Sequence, residues 1–371
     1  MAIMKALGGV ECRKANHIRI CLTRDVESGG WTGFEDVYLV HKALPEVDLE
    51  DVNLQVDFLG HSFRIPLIVS AMTGGTAEAL RINSVLAEAC EELGVGMGVG
   101  SQRAAIEDRS LEKTFRVVRE KAPNAFIIAN LGCPQLASGY GIEEVLRAVE
   151  MVDADAMAVH MNPLQEAVQV GGEARYRGVL EKIREIASEC PVPVIAKETG
   201  CGVSMEVARM LEEAGVSCID VAGAGGTSWA AVERYIAEEE GDRVKAEVGR
   251  TFTRWGIPTV VSLLEVREAV GIPVIASGGI RSGLDAAKAL SLGADMVGVA
   301  LPLLKAAVEG VERVKEYIRV FAEELRTAMF LTGSRSVGEL RKTPVVVLGK
   351  TLDWLRLRGI DAERLARRGL G

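Results

Sequence analysis

Polar and charged residues recur in this sequence at the ends of short apolar runs, and their types suit the holding of anions and the movement of protons. In Ile275-Ala-Ser-Gly-Gly-Ile-Arg-Ser-Gly283, a β-branched run stops at two glycines and an arginine; a second apolar run, Met296-Val-Gly-Val-Ala-Leu301, then leads into a helix start. Glycines let backbone N–H groups approach an anion, a helix start adds its dipole, and Arg281 supplies a planar charge. A Gly-rich turn with a surface arginine would explain the first segment alone; the second unit weighs against that reading. Further clusters are Met72-Thr-Gly-Gly75, Gly100-Ser-Gln-Arg103, Asn130, His160-Met-Asn-Pro-Leu-Gln-Glu166, Lys197-Glu-Thr-Gly200 and Gly223-Ala-Gly-Gly-Thr-Ser-Trp229. A strand-end Ser or Asn taken singly caps the next helix. Recurrence at the same end of successive strands points instead to a site. Lys197, closing an apolar strand, must snorkel outward or meet an anion or an electron-rich ring.

The elements that position these residues are read as eight strands: Pro66 to Ala71, Gly94 to Val99, Ala125 to Leu131, Ala156 to Met161, Pro193 to Lys197, Cys218 to Ala222, Pro273 to Ser277 and Met296 to Leu301. Between them lie helical patterns. Ile82, Val85, Leu86, Ala89, Cys90 and Leu93 share one face, as do Val207, Met210, Leu211 and Ala214, with Gly94 and Gly215 where helices end. Continuous apolar strands alternating with helices predict an α/β protein whose parallel sheet closes into a (β/α)8 TIM barrel. The strand-turn-helix units that begin Val194-Ile-Ala and Val274-Ile-Ala resemble each other, as repeated βα units do. The barrel is expected over 66–334. An N-terminal extension of turns and short strands is expected over 1–65, an insertion with a charged helix near Ala237 to Gly241 over 227–257, and a basic helical tail over 335–371 that packs on the barrel or on a neighbouring subunit.

Composition narrows the functional classes. The 371 residues carry a net charge of −9, which argues against a nucleic-acid or anionic-membrane binder, so an anionic ligand needs a local basic pocket. No apolar run reaches the roughly 18 residues that span a bilayer, and Lys5, Gly8, Gly9 and Glu11 interrupt any signal-peptide pattern. A cytoplasmic location is expected. The seven cysteines, Cys12, Cys21, Cys90, Cys133, Cys190, Cys201 and Cys218, form no Cys-x-x-Cys pair, so neither a zinc cage nor a disulfide framework is indicated.

Taken in order, Arg13-Lys-Ala-Asn-His17, Met72-Thr-Gly-Gly75, Gly98-Val-Gly-Ser-Gln-Arg103, His160-Met-Asn-Pro-Leu-Gln-Glu166, Lys197-Glu-Thr-Gly-Cys-Gly-Val-Ser204, Ala224-Gly-Gly-Thr-Ser-Trp229 and Ser277-Gly-Gly-Ile-Arg281 resemble the motifs of the type 2 isopentenyl-diphosphate isomerases, the flavin-dependent kind. The resemblance runs from Arg13 to the C-terminal tail. The Gly-Gly-x-Arg segment is shared with other FMN barrels, whereas the His-x-Asn-Pro-x-Gln-Glu segment singles out this family. The resemblance implies interconversion of isopentenyl diphosphate and dimethylallyl diphosphate by protonation and deprotonation, with FMN in its reduced form, Mg²⁺, and NADPH or another donor to reduce the flavin. In the family, the reduced flavin beneath the substrate is the favoured acid-base agent. A homotetramer or homo-octamer is also implied.

By the same resemblance, Ala71, Met72 and Thr73 lie against the flavin ring, while Ser101, Asn130, Lys197 and Thr227 bond the ring or its ribityl chain. Gly279, Ile280 and Arg281, with Ala300 and Leu301, hold the FMN phosphate. Arg13, Lys14, Ser101, Gln102, Arg103, His160, Asn162 and Gln165 match substrate-binding positions, and Glu166 matches the Mg²⁺ carboxylate. Gln165 matches a position that lies beside the substrate in the family; an amide is a poor base, so it positions the substrate or shuttles protons through water. His17 neutralises diphosphate charge or packs within the extension, and Trp229 walls off the isoprenyl tail or serves as a core aromatic. Rival readings fit less well. A hydroxyacid oxidase needs a His base late in the barrel, yet His17, His41, His61 and His160 all precede the fifth strand. An inosine-monophosphate-dehydrogenase-like enzyme needs a Cys in the loop after the sixth strand, which reads Gly223 to Trp229. A noncatalytic flavin- or phosphate-binding barrel would have lost its strand-end polar groups.

Overall fold

The computed structural model describes residues 9–369, with side chains from Arg13 onward; Lys5 and Gly8 and the side chains of Glu11 and Cys12 lie outside the described part. Eight strands form a closed parallel barrel: β1 (Leu67–Val69), β2 (Gly96–Gly98), β3 (Ile127–Gly132), β4 (Ala156–Met161), β5 (Val194–Glu198), β6 (Cys218–Asp220), β7 (Val274–Ser277) and β8 (Met296–Val299). Closure is made by β8 on β1, with Val297, Gly298 and Val299 opposite Leu67, Ile68 and Val69. Each strand falls on a segment expected from its apolar run.

Alternation along the strands sorts the side chains into two cores. Leu67, Val69, Ile127, Ala129, Met157 and Val159 face outward to the helices. Ile68, Ile128, Ala156, Ala158, Ile195, Cys218, Ile275 and Met296 face the axis and fill it. Below them, the antiparallel hairpin Val56–Phe58 and His61–Phe63 plugs the N-terminal end of the barrel. Phe58 and Phe63 join Phe126 there, with ring centroids 5.4 to 6.2 Å apart.

The helix Ala77–Leu93 begins at Thr76, whose hydroxyl accepts from the Ala79 amide, and ends at left-handed Gly94. It buries the expected Ile82, Leu86, Ala89 and Cys90. The helix Met205–Glu213 departs from expectation: Val207 and Met210 are 38% and 45% exposed, and the buried contacts are Ala208 and Leu211. The helix packs chiefly against the helix Thr259–Ala269, and its buried side carries Ala208 and Leu211, so Val207 and Met210 fall on the outer side.

Outside the barrel, the stretch expected as turns and short strands carries a helix, Gly9–Thr23, that buries Ile18, Ile20 and Cys21. Its mixed polar sequence holds no clear 3.6-residue stripe, so the pattern gave no warning of it. In the insertion, Ala237 to Gly241 is the end of one helix, Trp229–Glu240, rather than a helix of its own. Left-handed Gly241 turns the chain into a second helix, Arg243–Thr251. The C-terminal segment lies across the same chain. Val345–Val347 pairs antiparallel with Val37–Leu39, and Arg358 and Trp354 both bond Glu265 on the helix Thr259–Ala269. No helix among the described residues is long and apolar enough to cross a membrane.

Because Phe63 is almost wholly buried in the plug, Phe63→Ala is expected to cost about 3–5 kcal/mol of stability, read as a lowered urea midpoint. A midpoint like wild type would mean that the plug adds nothing to the barrel.

Candidate active site

Above the apolar filling, the inward positions of the strands change character. Ser70 after β1, Asn130 on β3, His160 on β4, Lys197 on β5, Asp220 ending β6 and Ser277 ending β7 all lie two residues, or a multiple of two, beyond an axis-filling residue. The register sets His160 opposite Lys197 and Lys197 opposite Asp220. Asn130 donates through Nδ2 to the Val99 carbonyl (3.1 Å), so its Oδ1 accepts from His160 Nδ1 at 2.8 Å and leaves His160 Nε2 without a proton. Burial, with Lys197 and Lys14 nearby, pulls the His160 pKa down to about 4. Lys197 Nζ bonds the Glu198 carbonyl (2.7 Å) and lies 3.4 Å from Asp220 Oδ2. Gly298 occupies the matching inward position on β8. A Cβ there would lie 2.6 Å from Ser70 Oγ, so the floor closes tightly on that side.

The helix Gly9–Thr23 roofs the opening, packed against the helices Trp229–Glu240 and Leu301–Glu309. Glu233, 1% exposed, is the hub beneath it. Its Oε1 accepts from His17 Nε2 (2.9 Å) and from Gln165 Nε2 (3.1 Å). The Gln169 amide, oriented by its neighbours, donates to the same oxygen and accepts from Arg13 Nη1, each at 3.1 Å. Asn162 Nδ2 donates to Gln165 Oε1 (3.2 Å) and Glu166 Oε1 (3.0 Å), and the Glu173 amide donates to Glu166 Oε2 (2.6 Å). Tyr176 in turn fixes Asn162 through its hydroxyl. Both ends of the Gln165 amide are therefore held.

Basic groups gather at two places on this cavity, whose volume is about 270 Å³. Near β2, Lys14 Nζ bonds the Ser101 carbonyl (2.7 Å) over the Phe115 ring, beside Arg103, which pairs with Glu107 and Glu173. Burial pulls the Lys14 pKa down to about 7, with Glu107 opposing and Arg103 adding to the effect. Near β7 and β8, Gly278 and Gly279 take positive φ of 99° and 72°, and Arg281 pairs with Glu27 at 3.1 Å. The helix Leu301–Glu309 starts there at Ala300, which has no side chain to cap the first N–H groups. An uncapped helix start beside glycines and an arginine fits a phosphate.

Arg13, Lys14, His17, Ala71, Met72, Thr73, Ser101, Arg103, Asn130, His160, Asn162, Gln165, Glu166, Lys197, Thr227, Trp229, Gly279, Arg281, Ala300 and Leu301 all line this one cavity. Gln102 and Ile280 do not. Gln102 is fully buried behind the site, donating to the Ala148 carbonyl and accepting from the Asn130 amide, and Ile280 packs into the core. Each sits inside a motif, but the turn points its side chain away from the opening. His17 stands edge-on to Trp229, with ring centroids 5.1 Å apart. Sequence reasoning missed Glu233, Gln169, Tyr176 and Asp220. The signal for two of them was slight: Glu233 falls one turn after Trp229 on its helix, and Gln169 one turn after Gln165, as the C-terminal cap of that helix. Glu166 is a lone carboxylate rather than part of a cage, since no group of three or more His, Cys, Asp or Glu poised for a metal occurs among the described residues. Such a donor suits Mg²⁺ completed by phosphate oxygens and waters.

The model of a family described as FMN-dependent dehydrogenase matches residues 147–347. An isopentenyl-diphosphate delta-isomerase of Methanothermobacter thermautotrophicus is 51% identical over 356 residues, covering 96% of this chain and 99% of that protein. Another, from Archaeoglobus fulgidus, is 52% identical over 347 residues, covering 94% of this chain and 99% of that protein. Among solved structures, a mandelate oxidase variant with a monooxide FMN adduct superposes with a TM-score of 0.63 at 24% identity, covering 87% of this chain and 93% of that one, a likeness of fold alone.

The buried neutral His160 has a pH consequence. Between pH 6.5 and about 4 the unfolded chain binds a proton there that the folded protein does not, so this contribution is full above 6.5 and is lost toward 4. Glu198, pushed up to about 7 by burial against the pull of the Thr199, Gly200 and Cys201 amides, acts with the opposite sign, so the comparison needs a variant. The stability advantage of wild type over His160→Gln is expected to shrink by up to about 3 kcal/mol on acidification through this window, read from urea midpoints. A constant difference would show that the folded and unfolded chains bind the His160 proton alike, so that burial does not hold the ring neutral.

Proposed function

The chain belongs to the isopentenyl-diphosphate delta-isomerase family, and on that premise we propose that it interconverts isopentenyl diphosphate and dimethylallyl diphosphate with reduced FMN and Mg²⁺. The observation that carries this reading is a single cavity with two separate anion-holding groups and the clamped Gln165 amide and Trp229 on its wall. One group, Arg281 with the start of the helix Leu301–Glu309, suits the FMN phosphate; the other, Arg13, Lys14 and Arg103, suits a diphosphate.

An alkene without activating groups is a poor base, so the reaction needs a donor held in contact with the terminal methylene and a site shielded from water. When bound, reduced FMN supplies an electron-rich surface and an acid-base group suited to that step. The residues of the chain supply the rest. Lys197 and Asn130 sit on the floor where the ring would lie, and Thr73, Ser101 and Thr227 offer polar groups along the same cavity. The roof helix brings Arg13 and Lys14 over the opening and excludes water. Gln165, gripped by Asn162 and Glu233, orients the substrate or relays a proton, and Trp229 shields the cationic carbon formed on protonation. Glu166 would hold Mg²⁺ against the diphosphate. NADPH or another external donor would reduce the flavin.

A hydroxyacid oxidase needs a base late in the barrel. The cavity walls after β6 present Ala222, Gly223, Thr227, Trp229, Ser277, Gly278, Gly279, Arg281, Gly298, Ala300, Leu301 and Leu304, with no histidine and no carboxylate among them.

The direct test mixes the protein with reduced FMN, Mg²⁺ and isopentenyl diphosphate and follows the proton spectrum. Conversion to dimethylallyl diphosphate is expected, and its absence in protein that has taken up FMN would sink the reading. Gln165→Ala is expected to keep FMN and lose roughly 10²–10⁴ in kcat, whereas wild-type turnover would remove Gln165 from the mechanism. Glu166→Ala is expected to raise the Mg²⁺ needed for half-maximal rate by roughly 10-fold or more; an unshifted titration would assign the ion to another group.

A further inference from the structure

We propose that Asp220 is a positioning residue for Lys197: it fixes the ammonium group in the floor of the site and offsets part of its charge against the cofactor. The proposal rests on the FMN reading of the cavity and extends it to a residue that the mechanism above does not use.

Asp220 ends β6 and is 4% exposed. One carboxylate oxygen, Oδ1, accepts from Ser277 Oγ of β7 at 2.5 Å and from the Ala222 amide at 3.3 Å. That grip from the neighbouring strand turns Oδ2 toward Lys197 Nζ, 3.4 Å away on β5. The second partner of Lys197 is the Glu198 carbonyl at 2.7 Å. An ammonium has three N–H groups, so with two directed at these acceptors one remains for the cavity that Lys197 lines. The other ionisable groups near it do not duplicate Asp220. His160, opposite on β4, is neutral; the Glu198 carboxylate faces away and is engaged by the Thr199, Gly200 and Cys201 amides; Lys14, pulled to a pKa of about 7 by burial, adds no negative charge. A fixed cation favours electrons added to a ring above it, and a carboxylate paired with that cation weakens the effect while holding its direction.

The test measures the reduction potential of bound FMN, by equilibration with a reference dye, in wild type, Asp220→Asn, Lys197→Met and the double variant. Asp220→Asn is expected to move the potential positive and to lower kcat by roughly 10-fold or more with KM nearly unchanged. The shift is expected to be larger with Lys197 present than in the Lys197→Met background. Equal shifts in the two backgrounds would mean that Asp220 acts on the flavin by its own charge, and would overturn the positioning role. Ser277→Ala, which loosens the grip that turns Oδ2 toward Lys197, is expected to move the potential the same way by a smaller amount; no movement there would also overturn the proposal, including where Asp220→Asn does not fold. Wild-type protein that takes up no FMN would instead overturn the cofactor reading, and this proposal with it.

Discussion

The two-residue pleat of the barrel strands is the constraint on which the rest depends. Every second side chain must face the axis, so a strand that fills the barrel with Ile128, Ala158, Ile195 or Cys218 also commits Asn130, His160, Lys197 and Asp220 to the same interior one step further on. Parallel pairing puts all of these steps at the same end of the sheet. The chemistry of the floor is therefore a continuation of the packing below it: apolar residues fill the axis, and the buried and half-buried polar groups above them bond one another across the strands. The chain Val99–Asn130–His160 and the chain Glu198–Lys197–Asp220–Ser277 are the result.

The upper half of the site obeys a different rule. Its hub, Glu233, belongs to an insertion, and its partners His17 and Gln165 come from the N-terminal helix and from the turn after β4. A buried carboxylate left with one donor fewer would be costly, so the three segments hold one another in place. The barrel supplies a rigid base, and one acidic side chain sets how the loops close over it.

Much of this was legible in the sequence because strand patterns and strand-end polar residues are local features. The eight apolar runs, the turn at Gly278 and Gly279 and the helix Ala77–Leu93 each announce themselves within a few residues. What escaped depends on distance or direction. Glu233 lies 68 residues from Gln165 along the chain, in a helix whose charged residues read as a solvated face. Gln102 and Ile280 stand inside motifs whose neighbours reach the cavity, and only the turn geometry shows that they do not. Met210 and Val207 looked like core because they are apolar, yet Ala208 and Leu211 carry the buried side of that helix, which packs on another helix.

The pairing of Val37–Leu39 with Val345–Val347 joins the two ends of the chain across the outside of the barrel. The early strand has no partner until residue 347 has been synthesised and has cleared the ribosome, and barrel closure itself waits for β8 to meet β1. For most of translation, then, the first segments stay as open edges that can pair with another chain, and the protein relies on late, long-range contacts to withdraw them.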